Sequence, residues 1–261
     1  MSDVAYPRVQ LHLARLNLPR MAECLDALAQ EAAKHDWTYV EFLDQLLDAE
    51  VSARYERDVA MKTKLAHFPF VKTLDQFDFA FQPAISERQI RELATLSFIA
   101  NGENVLFLGP PGVGKTHLAI ALGMAAIQQA TSVYFTTMVD LLDTLHKDAK
   151  EDRLDHRLQV LCRPKLLIVD EMGYFSLDRT VAQFLFQLVS RRYKRGSIIL
   201  TSNKSSGDWG DIFADQILAA AILDRLLLFS TTVNIRGQSY RLRENRKAGV
   251  FTELDEPHKE A

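Results

Sequence analysis

The octapeptide Gly109-Pro110-Pro111-Gly112-Val113-Gly114-Lys115-Thr116 fills every fixed position of the pattern G-x-x-x-x-G-K-[S/T]. That pattern works only where the backbone curls around an anion with its N–H groups pointing inward and a helix starts at its end. It therefore demands a buried strand before it and an apolar helix after it. Val105-Leu106-Phe107-Leu108 supplies the first, and residues 116–129 supply the second. In this frame Gly109, Pro110, Pro111, Gly112, Val113 and Gly114, with Lys115, Thr116 and His117, form a phosphate-binding segment. Lys115 reaches the β- and γ-phosphates of a nucleotide, and the Thr116 hydroxyl holds Mg²⁺.

Two further apolar runs end in polar groups suited to the same chemistry. Leu166-Leu167-Ile168-Val169 closes on Asp170 and Glu171. A buried strand ending there puts Asp170 near the metal and Glu171 where a water is polarised for attack on the γ-phosphate. Ile198-Ile199-Leu200-Thr201-Ser202 ends at Asn203, which either bonds the attacking water and the γ-phosphate or caps a turn. Asp170 to Gly173 also satisfies the guanine-protein pattern D-x-x-G, and Asn203-Lys204 begins N-K-x-D. The fourth position is Ser206, so the carboxylate that pairs with guanine is missing and adenine is favoured. Arg225, inside the apolar run 220–226, is either an ion-paired surface residue or a finger reaching a neighbouring subunit's γ-phosphate.

Apolar runs alternating with helical patterns predict an α/β domain with a parallel sheet. Strands are expected at 105–108, 133–135, 166–169, 198–200 and 231–235. Helices are expected at 116–129, 139–147, 180–195 and 215–228. Residues 8–66 read as helical, with Thr38 to Glu41 a capping box. Residues 68–85 break the periodicity and are dense in phenylalanine. Ser86 to Gln89 opens a further helix through Ile90, Leu93, Leu96 and Phe98. The expected organisation is an all-helical domain at 1–67, an ATPase domain at 68–250 and a polar tail at 251–261.

Composition narrows the setting. Of 261 residues, 48% are hydrophobic and 25% charged, which excludes disorder, collagen-like repeats and a coiled-coil rod. Cys24 and Cys162 form no C-x-x-C pair and exclude a disulfide framework or zinc ribbon. No basic start and apolar core mark a signal peptide. The longest uncharged stretch, 116–139, contains His117, Gln128, Gln129, Thr131 and Ser132 and is not read as membrane-spanning. A cytoplasmic protein without membrane contact is expected.

The net charge of −3 conceals an asymmetry: eleven basic residues face five acidic ones between Arg191 and Lys247. Arg191, Arg192, Lys194 and Arg195 serve either the dipole of a helix end or the phosphates of DNA. Arg241, Arg243, Arg246 and Lys247, with Arg236, look more like a phosphate-contacting strip.

These segments together resemble the IstB-like helper ATPases of bacterial insertion sequences, an AAA+ branch close to the DnaC replicative helicase loaders. The resemblance runs through Leu18-Pro19-Arg20-Met21, Lys72-Thr73-Leu74-Asp75-Gln76-Phe77, the phosphate loop, 166–173, Thr201-Ser202-Asn203, 221–226 and Gly237-Gln238-Ser239-Tyr240-Arg241. It implies a five-stranded parallel sheet of order 5-1-4-3-2, with Walker A, Walker B and sensor 1 at the segments above. It further implies Arg225 as the trans-acting finger, ATP and Mg²⁺ as cofactors, and an ATP-dependent homo-oligomer on duplex DNA. That assembly presents target DNA to a cognate transposase. Arg236 and Arg241 are the candidates for a second sensor. Two rival readings share the core: a helicase loader binding single-stranded DNA, and a nucleotide-switched DNA scaffold whose slow hydrolysis is a timer.

Overall fold

The computed structural model describes residues 5–174, 177–213 and 216–240. Two compact units divide at Met61/Lys62, six residues before the expected 67/68 boundary. The reason lies in the contacts of 62–68. Lys62 Nζ donates to Ala130 O at 2.9 Å, Phe135 N–H donates to Ala66 O at 2.8 Å, and the Phe68 and Phe135 rings meet edge to face.

The first unit is helical: α1 (Ala5–Arg15), α2 (Pro19–Lys34) and most of α3 (Tyr39–Leu65). Pro19 occupies the start of α2, where its missing N–H costs no bond. The Thr38–Glu41 box caps α3: Glu41 N–H donates to Thr38 Oγ1 at 3.2 Å, and Thr38 N–H donates back to Glu41 Oε2 at 2.7 Å. Leu13, Met21, Leu25 and Leu46 form a small core. Glu50, 2% exposed, accepts from the Arg20 and Met21 N–H groups at 2.8 and 3.2 Å and from Arg54 Nε at 2.9 Å. One carboxylate on α3 thus satisfies the open donors of α2.

The second unit begins with α4 (Glu87–Leu93) and α5 (Ser97–Asn101), where sequence periodicity predicts one helix. Thr95 Oγ1 bonds back to Glu92 O, and Leu96 takes a left-handed φ of 65°, which breaks the helix while leaving Leu96 and Phe98 buried. Then follow β1 (Asn104–Leu108), α6 (Lys115–Gln128), β2 (Val133–Thr137), α7 (Met138–Lys150), α8 (Leu154–Cys162) and β3 (Leu166–Met172). The remainder is α9 (Arg179–Arg192), β4 (Ser197–Ser202), α10 (Gln216–Leu227) and β5 (Ser230–Asn234). All pairings are parallel and the order is β2-β3-β4-β1-β5, as expected.

Alternate residues of the strands face opposite layers, as the pleat requires. Leu106, Leu108, Leu167, Val169, Ile198 and Leu200 share one core with α7, α8, α9 and α10. The other face packs on α6, which is buried nearly all round, and a Cβ at Gly123 would lie 2.9 Å from Ile168 Cδ1. That burial explains the uncharged stretch at 116–139 as a core helix followed by strand β2. Among the described residues no helix is long and apolar enough to cross a membrane.

Candidate nucleotide site

The loop between β1 and α6 needs its glycines for two reasons at once. Gly112 and Gly114 have φ of 80° and 99°, the left-handed region. Each is also pressed by a neighbour: a Cβ on Gly112 would lie 2.1 Å from Ser239 Oγ, and one on Gly114 would lie 2.6 Å from the Phe77 ring.

Lys115 opens α6 and is nearly buried. Its Nζ donates to Gly109 O and Pro110 O, both at 2.7 Å. Burial lowers the ammonium's pKa, and the charges of Asp170 and Glu171 oppose that shift. Thr116 Oγ1 lies 3.0 Å from both Asp170 oxygens. Asp170 also accepts from Thr201 Oγ1 on β4. Burial pushes the Asp170 carboxyl up against the pull of the Thr201 and Thr116 bonds and the Lys115 charge.

Glu171 departs from the strand geometry around it. Its φ is +63°, and the β3–β4 register shifts between Val169 and Met172. Its N–H donates to Thr201 Oγ1 at 3.0 Å, and its side chain is exposed to the cavity. Asn203, one residue past β4, lines the same cavity, and its buried Oδ1 has no partner among the described residues.

The cavity, about 490 Å³, brings Pro111 to His117 together with Glu171, Thr201 and Asn203. Gly109 and Pro110 stand behind it through the Lys115 bonds. His117 Nε2 lies 3.0 Å from Thr73 O, so that nitrogen carries the proton. Burial lowers the imidazole's pKa; the Thr73 bond resists that shift and the Lys72 charge adds to it.

The other wall was not assigned from the sequence. Phe70, Phe77, Phe81 and Gln82 from the segment before α4 and Tyr240 from the end of the described chain line it. Phe77 packs edge to face on His117, and Phe81 on Tyr240. Gln82 Nε2 donates to Gln238 O at 2.9 Å, and Tyr240 N–H donates to Gly112 O at 2.9 Å. The density of phenylalanine at 77–81 was the available signal, since rings so close in sequence need a surface to cover.

Arg225 does not line the cavity. Its guanidinium lies 4.6 Å from the centre of the Phe186 ring and donates to Ala221 O at 3.2 Å. Of the expected DNA contacts, Arg192 is corrected. It is 2% exposed, and its guanidinium donates to the carbonyls of Leu161, Pro164, Lys165 and Ser197, tying α8 and α9 to β4. Burial depresses its pKa to about 10, and no donor faces outward for a phosphate. Arg191 lies 3.7 Å from Asp155, Lys194 stands over the Phe229 ring, and Arg195 and Arg236 are exposed. Arg241, Arg243, Arg246 and Lys247 lie outside the described residues.

Comparison with known proteins follows the same lines. The family model described as IstB-like ATP binding protein matches residues 11–248. An ATP-binding protein of insertion sequence IS5376 from Geobacillus stearothermophilus is 51% identical over 239 residues, covering 92% of this chain and 95% of that protein. One of insertion sequence IS21 from Pseudomonas aeruginosa is 49% identical over 249 residues, covering 95% and 94%. The crystal structure of the DnaC helicase loader superposes with a TM-score of 0.51 at 23% identity, over 63% of this chain and 96% of that one. The fold is AAA+-like, and at that identity the likeness concerns the fold alone.

Proposed function

This chain belongs to the IstB-like ATP binding proteins, and on that premise we propose that it is a Mg²⁺-dependent ATPase that assembles on duplex DNA and helps a transposase capture target DNA. The observation that carries the reading is the convergence of Lys115, Thr116, Glu171, Thr201 and Asn203 on one cavity, with Asp170 directly behind Thr116. Two carbonyls hold Lys115 beside the loop, from where its ammonium would reach the β- and γ-phosphate oxygens of a nucleotide. Phe77, Phe81 and Tyr240 offer apolar faces for an adenine ring at the far end.

The Thr116 hydroxyl and Asp170 carboxylate are hard oxygen donors already in contact, and they would hold Mg²⁺. When bound, that ion neutralises charge on the phosphate oxygens. Glu171 accepts the proton of the attacking water as its oxygen bonds to the γ-phosphorus and the bond to the β–γ bridging oxygen breaks, giving ADP and phosphate. Asn203 uses its open Oδ1 to orient that water. Arg225 from a neighbouring protomer meets the negative charge of the transition state.

Arg191, Lys194, Arg195 and Arg236, with Arg241, Arg243, Arg246 and Lys247, supply charge for DNA phosphates. The helical unit that ends at Met61 is assigned to partner binding and the unit that begins at Lys62 to the ATPase. The deciding experiment measures duplex binding with ATP, with ADP and without nucleotide, together with particle mass. ATP-dependent binding with growth to a large oligomer is expected. A monomer that ignores duplex DNA would overturn the reading in favour of a helicase loader.

A further inference from the structure

We propose that Thr201 is the positioning residue that holds Glu171 over the cavity, its single hydroxyl bonding both members of the acidic pair. The inference rests on the ATPase reading of the site and adds a residue to it. At Glu171 the parallel ladder between β3 and β4 loses register, and the main chain enters the left-handed region with a side chain that does not favour it. An N–H displaced from its ladder in a buried sheet edge has to find another acceptor. Thr201 Oγ1 provides it at 3.0 Å. The same oxygen gives its own proton to Asp170 Oδ1.

The two bonds define each other. Because the Thr201 proton is committed to the carboxylate, its lone pairs face the Glu171 N–H. With the N–H on one lone pair, the hydroxyl keeps its proton for Asp170 and both bonds are made together. Thr201 is 1% exposed, so water does not substitute for either partner. A threonine in the middle of a sheet needs no such role, since its hydroxyl can bond its own strand. Here it reaches across to β3, at the one place where that strand turns its acid into the cavity. Serine preserves donor and acceptor together; valine keeps the shape and removes both.

The test compares Thr201→Val and Thr201→Ser with wild type. It reads ATP turnover, ATP affinity without hydrolysis, and hydrogen exchange of the Glu171 amide in nucleotide-free protein labelled at glutamate. In Thr201→Val, kcat is expected to fall about tenfold or more while ATP affinity stays within about threefold. Glu171 amide exchange is expected to accelerate about tenfold or more. Thr201→Ser restores both. Wild-type kcat and exchange in the valine variant overturn the proposal, as does equal damage to ATP affinity and kcat with no rescue by serine. If valine does not fold, Thr201→Ala carries the same comparison. Wild-type protein that binds ATP without hydrolysing it would remove the ATPase reading alone, and exchange at Glu171 would then decide the role of Thr201.

Discussion

A buried lysine with no carboxylate inside bonding distance has to find oxygen elsewhere, and Lys115 finds two main-chain carbonyls. Those bonds compensate part of the desolvation that depresses its pKa, and they leave the cation beside the loop between β1 and α6. Lys115→Ala is therefore expected to weaken ATP binding by about a hundredfold, read by titration with a fluorescent ATP analogue. Glu171→Gln differs, because an amide of the same shape fills the site but does not take a proton. Nucleotide binding and assembly are expected to survive it while turnover falls about 10²- to 10⁴-fold; unchanged turnover would remove Glu171 from the mechanism. These residues were legible because their chemistry requires them within short stretches of chain. The bonds of Thr201 with Asp170 and Glu171, of Gln82 with Gln238 and of Tyr240 with Gly112 were not, since they join residues distant in sequence that meet only after folding. Arg192 was misread although the signal was present: it continues the buried stripe Leu185, Leu188, Val189 of α9 at helical spacing. A cation on that stripe points inward whatever its neighbours do.

At the scale of elements, the phosphate loop is gripped from two sides by segments with little regular structure. Phe77 covers Gly114, and the stretch 237–240 covers Gly112 through Ser239 and the Tyr240 amide. Gln82 joins the two segments through Gln238 O. Gly112→Val would force Ser239 away and strain a φ of 80°, so loss of ATP affinity by about tenfold or more is expected, with the sheet intact by circular dichroism. The helical unit depends on a different device, the Glu50 carboxylate at the start of α2. Glu50→Ala removes a charged acceptor from two N–H groups and is expected to cost about 2 kcal/mol, measured by urea unfolding followed at 222 nm. Strands β1, β3 and β4 were readable because each holds an apolar run between turn signals, whereas β5, Ser-Thr-Thr-Val-Asn, carries that signal only weakly. The C-terminal ends were not: β3 and β4 continue through Asp170, Glu171 and Thr201, where polar residues pair with each other inside the sheet. Helix periodicity likewise ran through Leu96, a left-handed residue that separates α4 from α5 without any glycine or proline to announce it.

At the scale of the whole molecule, the position of Arg225 separates a self-sufficient enzyme from one that works only as an assembly. Its guanidinium rests on Phe186 and Ala221 O, and it does not line its own chain's cavity. If it completes a neighbour's site, then Arg225→Ala and Glu171→Gln damage different halves of one composite site. An Arg225→Ala protomer keeps an intact cavity and lacks only the donor for the next one. A Glu171→Gln protomer has a dead cavity and an intact donor. Each variant alone is expected to be inactive. In an equal mixture, an Arg225→Ala cavity facing a Glu171→Gln donor is whole, and random head-to-tail assembly makes about a quarter of interfaces of that kind. Mixing two inactive proteins is therefore expected to restore roughly a quarter of the wild-type rate on duplex DNA. Dilution should abolish that recovery, because it dissociates the assembly that builds the shared site. A mixture that stays inactive while both variants co-assemble would return Arg225 to its own chain, as a cation stacked on an aromatic ring that holds α10 against α9.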